Sequence, residues 1–339
     1  MAPAVGALAL ALSLAGCAAG PTAEAPASSG EAPSGVVQRV TAERVLQVTS
    51  VHEETGMTLL EGPTFLDDGR LHLVDVTAPA GEPKVLAVDV DRREVDAVYT
   101  DAVGAYTSAQ VSPYDDRLYL TDYAAGRIVS ITPDGTDPRV FADGRVKGRA
   151  MHLDDLTFDD DGHLYVTDSS PVAYPEGTAD GRVLRFDRDT ARASVLAGNL
   201  PNPNGISFDL DGGALWVSQL DANRIDRLVL DGTGRAVTAG HAAIQVDGGV
   251  AQTDSNAVDA AGNLYQGMHG LPEVRVYGPD GTHLTTVSVP DGDDGLLSAT
   301  NLAIRPGTTD AYVTVSGPAG GFVYRFDALA QGVRQSNGG

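Results

Sequence analysis

The feature that most limits what this chain can fold into is a repeated strand. Six segments share one pattern: Leu71-His72-Leu73-Val74-Asp75, Leu118-Tyr119-Leu120-Thr121-Asp122, Leu164-Tyr165-Val166-Thr167-Asp168, Leu215-Trp216-Val217-Ser218, Leu264-Tyr265-Gln266-Gly267 and Ala311-Tyr312-Val313-Thr314. Their starts fall 46 to 51 residues apart, the period of a four-stranded propeller blade. Each is preceded by one alternating strand and followed by one or two more, as in Leu156-Thr157-Phe158, the turn Asp160-Asp161-Gly162, the strand at 164 and Arg182-Val183-Leu184-Arg185-Phe186. Period two marks strands, and no segment carries a convincing helical stripe. The expectation is an all-β fold, a six-bladed β-propeller with four-stranded blades. The strand-like stretch Arg44 to Val51 precedes blade one, so it is expected to complete blade six and close the ring, removing open sheet edges.

The chain divides by composition. Val5 to Ala15 is a short apolar run, too short to span a bilayer, and Leu14-Ala15-Gly16-Cys17 follows. This resembles the lipobox of bacterial lipoproteins, although no Lys or Arg precedes the run. Cys17 is the only cysteine, so no intrachain disulfide is available. The expected layout is a lipoprotein-type signal at 1–17, a flexible Ala/Pro/Ser/Gly-rich tether at 18–41, the propeller at 42–332 and a tail at 333–339. That makes an exported, envelope-anchored protein whose membrane contact runs through lipidated Cys17. An ordinary secretory leader is the alternative. The net charge of −23 argues against nucleic acid as a partner, because phosphate would be repelled.

Aligning the first strands of the blades on Phe65, Val111, Phe158, Phe208, Val258 and Ile304 exposes a second regularity. Four residues earlier stand Glu61, Thr107, Asp154, Asn204, Asp254 and Thr300, each with a side-chain oxygen. The first strand of a blade lines the central channel, so these six side chains are expected to converge at its mouth. Carboxylates forced together repel, and a cation relieves the repulsion. Oxygen donors without Cys or paired His suit calcium or magnesium, and an irregular site drawn from several blades favours calcium, with magnesium or another divalent ion as the alternative. Asp, Asn and Thr also favour turns, and Asn204-Gly205 alone is a turn signal, but Glu61 is a poor turn former.

Leu60-Glu61-Gly62-Pro63, Leu153-Asp154-Asp155-Leu156-Thr157-Phe158, Pro203-Asn204-Gly205-Ile206 and Thr253-Asp254-Ser255 resemble the SMP-30/gluconolactonase family of calcium-dependent lactonases and esterases, and within it the bacterial calcium-dependent lactonases. The resemblance spans residues 58–328. It implies one calcium ion held by Glu61, Asp154, Asn204 and Asp254, with Ser255 at an additional ligand position and Asp155 as an acid beside the site. It also implies hydrolysis of a small lactone or related ester, with Asp254 as acid/base. The loop Asp122-Tyr123-Ala124-Ala125-Gly126 offers no equivalent of a second calcium site. Val315-Ser316-Gly317-Pro318 stands where a related phosphotriesterase carries a histidine.

His152, Thr107 and Thr300 are further candidates for contact with substrate or with the ligands. An exposed loop position is the plainer reading of His152. His269 follows the blade-five strand, and a mouth-facing orientation is one of two readings for it. Tyr119, Tyr165, Trp216 and Tyr265 recur at one strand position and are assigned to packing between blades. Asp75, Asp122 and Asp168 are assigned to turn amides. Tyr106 and the loops 171–180 and 267–273 are candidates for covering the mouth. A competing function is a non-catalytic, envelope-associated binding propeller with a structural calcium ion. A strictosidine-synthase-like propeller is disfavoured by the three carboxylates of the ring.

Overall fold

The computed structural model describes residues 36–169 and 179–334. The leader, Cys17, most of the tether, loop residues 170–178 and the end of the tail lie outside them. The fold is all-β: among the described residues the helical content is one 3₁₀ turn, Leu220–Ala222. The strands form propeller-like, four-stranded antiparallel repeats. The inner strands are Leu60–Phe65, Tyr106–Val111, Leu153–Phe158, Pro203–Phe208, Gln252–Val258 and Ser298–Ile304. Each pairs with the second strand of its repeat, namely Leu71–Asp75, Leu118–Asp122, Leu164–Asp168, Ala214–Gln219, Leu264–His269 and Asp310–Gly317.

Burial explains why the inner strands are rich in apolar and small residues. Leu60–Phe65 and Pro203–Phe208 are buried along their whole length, whereas the fourth strand of repeat one, Glu94–Thr100, is largely exposed. The recurrent aromatics pack between repeats as expected. Tyr119 meets Phe158 edge-on at 5.3 Å and Tyr165 meets Phe208 at 4.9 Å. Tyr312 of the last repeat makes the same contact, at 5.5 Å, with Phe65 of the first. Glu43–Thr49 runs antiparallel to Gly320–Asp327 as the fourth strand of the last repeat. Gln38–Thr41, inside the stretch assigned to the tether, is also a strand. It pairs in parallel with His283–Ser288, and Val40 packs on the cluster that holds Val287, so regular structure begins ahead of residue 42.

The pairing also defines one end of the molecule. Leu60 faces Asp75, Tyr106 faces Asp122 and Leu153 faces Asp168, so inner strands start where second strands finish. The buried aspartates tie that end together. Asp75 accepts from the backbone N–H and hydroxyl of Thr77, Asp122 from the N–H groups of Ala105 and Ala125 and from Arg127, and Asp168 from the His152 N–H, Arg149 and Arg182. Tyr106 is not a mouth-covering residue. It is fully buried, and its hydroxyl donates to Asp101 at 2.8 Å.

Gly205 is a strand residue and not the turn its Asn-Gly sequence suggests. A Cβ at this position would lie 2.6 Å from the Ser255 Cα and 2.7 Å from the Asp254 carbonyl oxygen. Glycine is what lets the inner strands of repeats four and five approach this closely.

Candidate metal centre

Glu61, Asn204 and Asp254 are buried near the starts of their inner strands, and Asp154 is partly buried at the same position. The Asn204 amide nitrogen donates to Asp154 Oδ2 at 3.1 Å, which brings repeats three and four together. Burial, then repulsion by Asp254, then repulsion by Asp154 and Asp155 hold the Glu61 carboxyl well above the usual carboxylate range, against a hydrogen bond from Thr300. Asp154 is raised in the same way by loss of water and by the charges of Asp254 and Asp155. Asp155, one residue deeper, is pushed up to about 7 by burial, although Ser108 and Ser255 both bond to it. These acids therefore come from three separate stretches of chain and share one electrostatic environment.

The donor set fits a hard cation. Glu61 Oε2 and Asn204 Oδ1 are buried without a hydrogen-bond partner, and both are oxygens of the type calcium takes as ligands. A positive charge would relieve the repulsion among Glu61, Asp154 and Asp254. Among the described residues, no three His, Cys, Asp or Glu side chains are gathered tightly enough to hold an ion as they stand.

Two residues of the ring are tied to backbone. Thr107 directs its hydroxyl to the backbone carbonyls of Leu153 and Asp154, at 3.2 and 3.0 Å. Thr300 bonds the Leu60 carbonyl at 3.1 Å and also reaches Glu61. A threonine at this position can reach the neighbouring repeat's backbone, so both link strands, and Thr300 also bonds the Glu61 carboxyl. Ser255 gives its hydroxyl to Asp155. That bond uses the proton and leaves the oxygen's lone pairs, so it is compatible with a ligand role for Ser255.

The wall around the acids includes residues that the alignment of first strands did not capture. Ser169 donates to Asp154 Oδ2 at 3.3 Å and to the Pro203 carbonyl at 2.9 Å. His269 is exposed, and its Nδ1 lies 3.6 Å from Asp254 Oδ2. The nearby Asp254 carboxylate, opposed by loss of water, raises the His269 ring above its ordinary value. His152 is partly buried and packs on Tyr123 at 5.7 Å, so it is less open than a free loop histidine. Ser169 and His269 share a sequence signal: each directly follows the residue that pairs with the position just before the ring residue, as do Tyr123 and Ser316.

A model of the SMP-30/gluconolactonase/LRE-like region matches residues 59–317, a span that begins just before Glu61 and contains every acid described above. The chain belongs to this family. Lactonase drp35 of Staphylococcus aureus is 26% identical over 305 residues, covering 87% of this chain and 90% of the relative. The protein of the same name from Staphylococcus epidermidis is 27% identical over 313 residues with the same coverage. Among solved structures, a gluconolactonase from Xanthomonas campestris aligns with a TM-score of 0.65 at 22% identity, over 84% of this chain and 97% of that one. Regucalcin from Agrobacterium tumefaciens, described as a calcium-binding protein, aligns with a TM-score of 0.65 at 17% identity, over 90% and 98%. At those identities the structural likeness speaks to the fold, which is the all-β, propeller-like one described above.

Proposed function

We propose that this member of the SMP-30/gluconolactonase family is a calcium-dependent hydrolase of lactones or related esters. In this reading it is a six-bladed propeller closed by Glu43–Thr49, exported and anchored through Cys17. The observation that carries the proposal is the group Glu61, Asp154 and Asp254, whose mutual repulsion, beside the partnerless oxygens of Glu61 and Asn204, calls for a cation. The names of the relatives supply the reaction class. The Tyr312–Phe65 contact and the pairing of Glu43–Thr49 support the closed ring. The Leu14-Ala15-Gly16-Cys17 motif supports the anchor.

Glu61, Asp154, Asn204 and Asp254 would hold the ion. When bound, calcium supplies Lewis-acid polarisation of an ester carbonyl. Asp254 does the proton work: its carboxylate takes a proton from water as the water oxygen bonds to the carbonyl carbon, then delivers it to the ring oxygen as the carbon–oxygen bond breaks. One water is added and a hydroxy acid leaves. His269, beside Asp254 and open to solvent, offers a donor to the substrate. Tyr123 and His152 meet at 5.7 Å with their rings tilted by 56°, and Tyr123 lies close enough to Asp154 to feel its charge, so substrate is placed beside them.

The test is a panel of small lactones and aryl esters assayed with calcium, with EDTA, and with Asp254→Asn in calcium. Hydrolysis that EDTA abolishes, that added calcium restores, and that Asp254→Asn lacks is the expected result. Hydrolysis indifferent to both changes overturns the mechanism. Tight calcium binding without turnover of any panel member favours the non-catalytic binding propeller.

A further inference from the structure

The six repeats allow one blade to be compared with five others at every position, and repeat five departs from the rest in its interior. Two residues after the ring position stand Pro63, Ala109, Leu156, Ile206 and Leu302 in the other repeats, but Asn256 in repeat five. The third residue of the second strand is Leu73, Leu120, Val166, Val217 or Val313 elsewhere, but Gln266 in repeat five. Both are fully buried. A buried amide is unfavourable unless its groups are bonded, so two of them at otherwise apolar positions call for an explanation.

Their bonds form one directed chain. The Ser207 hydroxyl donates to Asn256 Oδ1, Asn256 Nδ2 donates to Ser218 Oγ at 2.7 Å, and the Ser218 hydroxyl donates to Gln266 Oε1 at 2.7 Å. Gln266 Nε2 then faces the carbonyl oxygens of Asp254, Ser255 and Gly267, at 3.0, 3.1 and 2.8 Å. Carbonyls only accept, so they fix which way the Gln266 amide lies, and every donor in the chain has an acceptor.

In repeats two and three the equivalent link is direct. Thr121 donates to the Asp154 carbonyl at 2.5 Å, and Thr167 donates to the Asn204 carbonyl. Ser218 occupies the matching position in repeat four but reaches the Asp254 carbonyl only through Gln266. The inner strand of every repeat has a register irregularity at this point; in repeat five it lies between Thr253 and Asn256, at the two residues whose carbonyls Gln266 holds.

We propose that Gln266, set by Asn256, Ser218 and Ser207, is a positioning residue that fixes the irregular Asp254–Ser255 backbone and so aims the Asp254 carboxylate at the site. This rests on Asp254 being both ligand and acid/base. Gln266 touches neither substrate nor ion; it acts through the two carbonyls.

The test uses the full-length chain with Gln266→Met and with the double variant Asn256→Leu/Gln266→Val, which gives repeat five the side chains of repeat six. Thermal unfolding in EDTA checks the fold, calcium titration by calorimetry reads the site, and steady-state hydrolysis separates kcat from KM. The expected result is an unfolding temperature close to the parent's with calcium affinity weakened roughly 10- to 100-fold, the range for residues that orient ligands. The fall in activity should lie in kcat, with KM little moved. A folded variant with parent-like calcium affinity and kcat overturns the role of the relay, and the single variant decides if the double one does not fold. Asp254→Asn is run alongside. If it retains parent-like calcium affinity and activity, the reading of Asp254 itself fails. If Asp254→Asn loses both while Gln266→Met keeps both, only the relay fails.

Discussion

Repeats two and six carry threonine where repeats three and five carry aspartate, at the same point of the same strand, and the two pairs do different things. Thr107 and Thr300 bond the backbone of the next repeat, at Asp154 and Leu60. Asp154 and Asp254 raise each other's neighbours and share the space that Glu61 and Asn204 complete. One position in the repeat therefore serves either to join blades or to hold charge. The length and polarity of the side chain decide between the two: a short hydroxyl can turn back to a carbonyl, whereas an anion is repelled by it.

The strongest way to break this contrast is Asp254→Asn, which keeps size and hydrogen bonding but removes the charge. Its expected effect is a loss of kcat of about 10²- to 10⁴-fold, the usual contribution of a positioned acid/base, measured on whichever lactone the parent hydrolyses best. Next is Glu61→Gln. In EDTA the variant should be more stable than the parent by roughly 1–2 kcal/mol, because a buried, repelled carboxylate is gone. In calcium it should lose most of the stabilisation that the ion gives the parent. Chemical unfolding with and without calcium checks both signs; a less stable variant in EDTA would mean that Glu61 is already paired.

The pH dependence sharpens the same point. Glu61, Asp154 and Asp155 all have carboxyls raised in the folded state, Asp155 to about 7. The folded chain therefore holds protons that the unfolded chain has released, and stability falls as pH rises from the ordinary carboxylate range through 7. The slope is about 1.4 kcal/mol per pH unit for each extra proton held. Calcium favours the charged forms, so the slope should flatten when it is added. Unfolding midpoints across pH 5 to 8, an interval of roughly this window, test the prediction; the same slope with and without calcium would separate these acids from the ion. The smallest effect belongs to Thr107→Val. Loss of the bonds to the next repeat should lower stability by about 1 kcal/mol, with kcat nearly unchanged. A kcat loss as large as that of Asp254→Asn would place Thr107 with the acids after all.

Much of the fold was legible because its signals are local. Strand periodicity, the spacing of the repeats and the recurrent aromatic residue each follow from burial on a pleated sheet, and Tyr119, Tyr165 and Tyr312 pack between repeats as that pattern requires. The ring position was legible by counting back from the apolar anchors, and the motifs around Glu61, Asp154, Asn204 and Asp254 carried the family. The boundary at residue 42 was drawn too late because Gln38–Thr41 has little apolar content and is recruited by pairing with His283–Ser288. Tyr106 was misread for a related reason, and Asn204-Gly205 gives a turn signal that the fold overrides. An aromatic residue before a strand and an Asn-Gly pair look like loop and turn, yet one is buried against Asp101 and the other is a point of close approach between strands.

By itself, then, the sequence determined the repeat, the faces it buries and the set of oxygen-bearing residues that share one register. Each of these depends on spacing along a strand. Only the tertiary structure decided which members of that set act together. It turned Thr107 and Thr300 toward backbone, bridged Ser108, Asp155 and Ser255, set His269 beside Asp254, and ran a chain of amides from Ser207 to the Asp254 carbonyl. The physical reason is that these contacts join residues brought together by the placement of one sheet against the next. Hydrogen bonds and repulsion act over a few ångströms of space, and no local period in the chain encodes those distances.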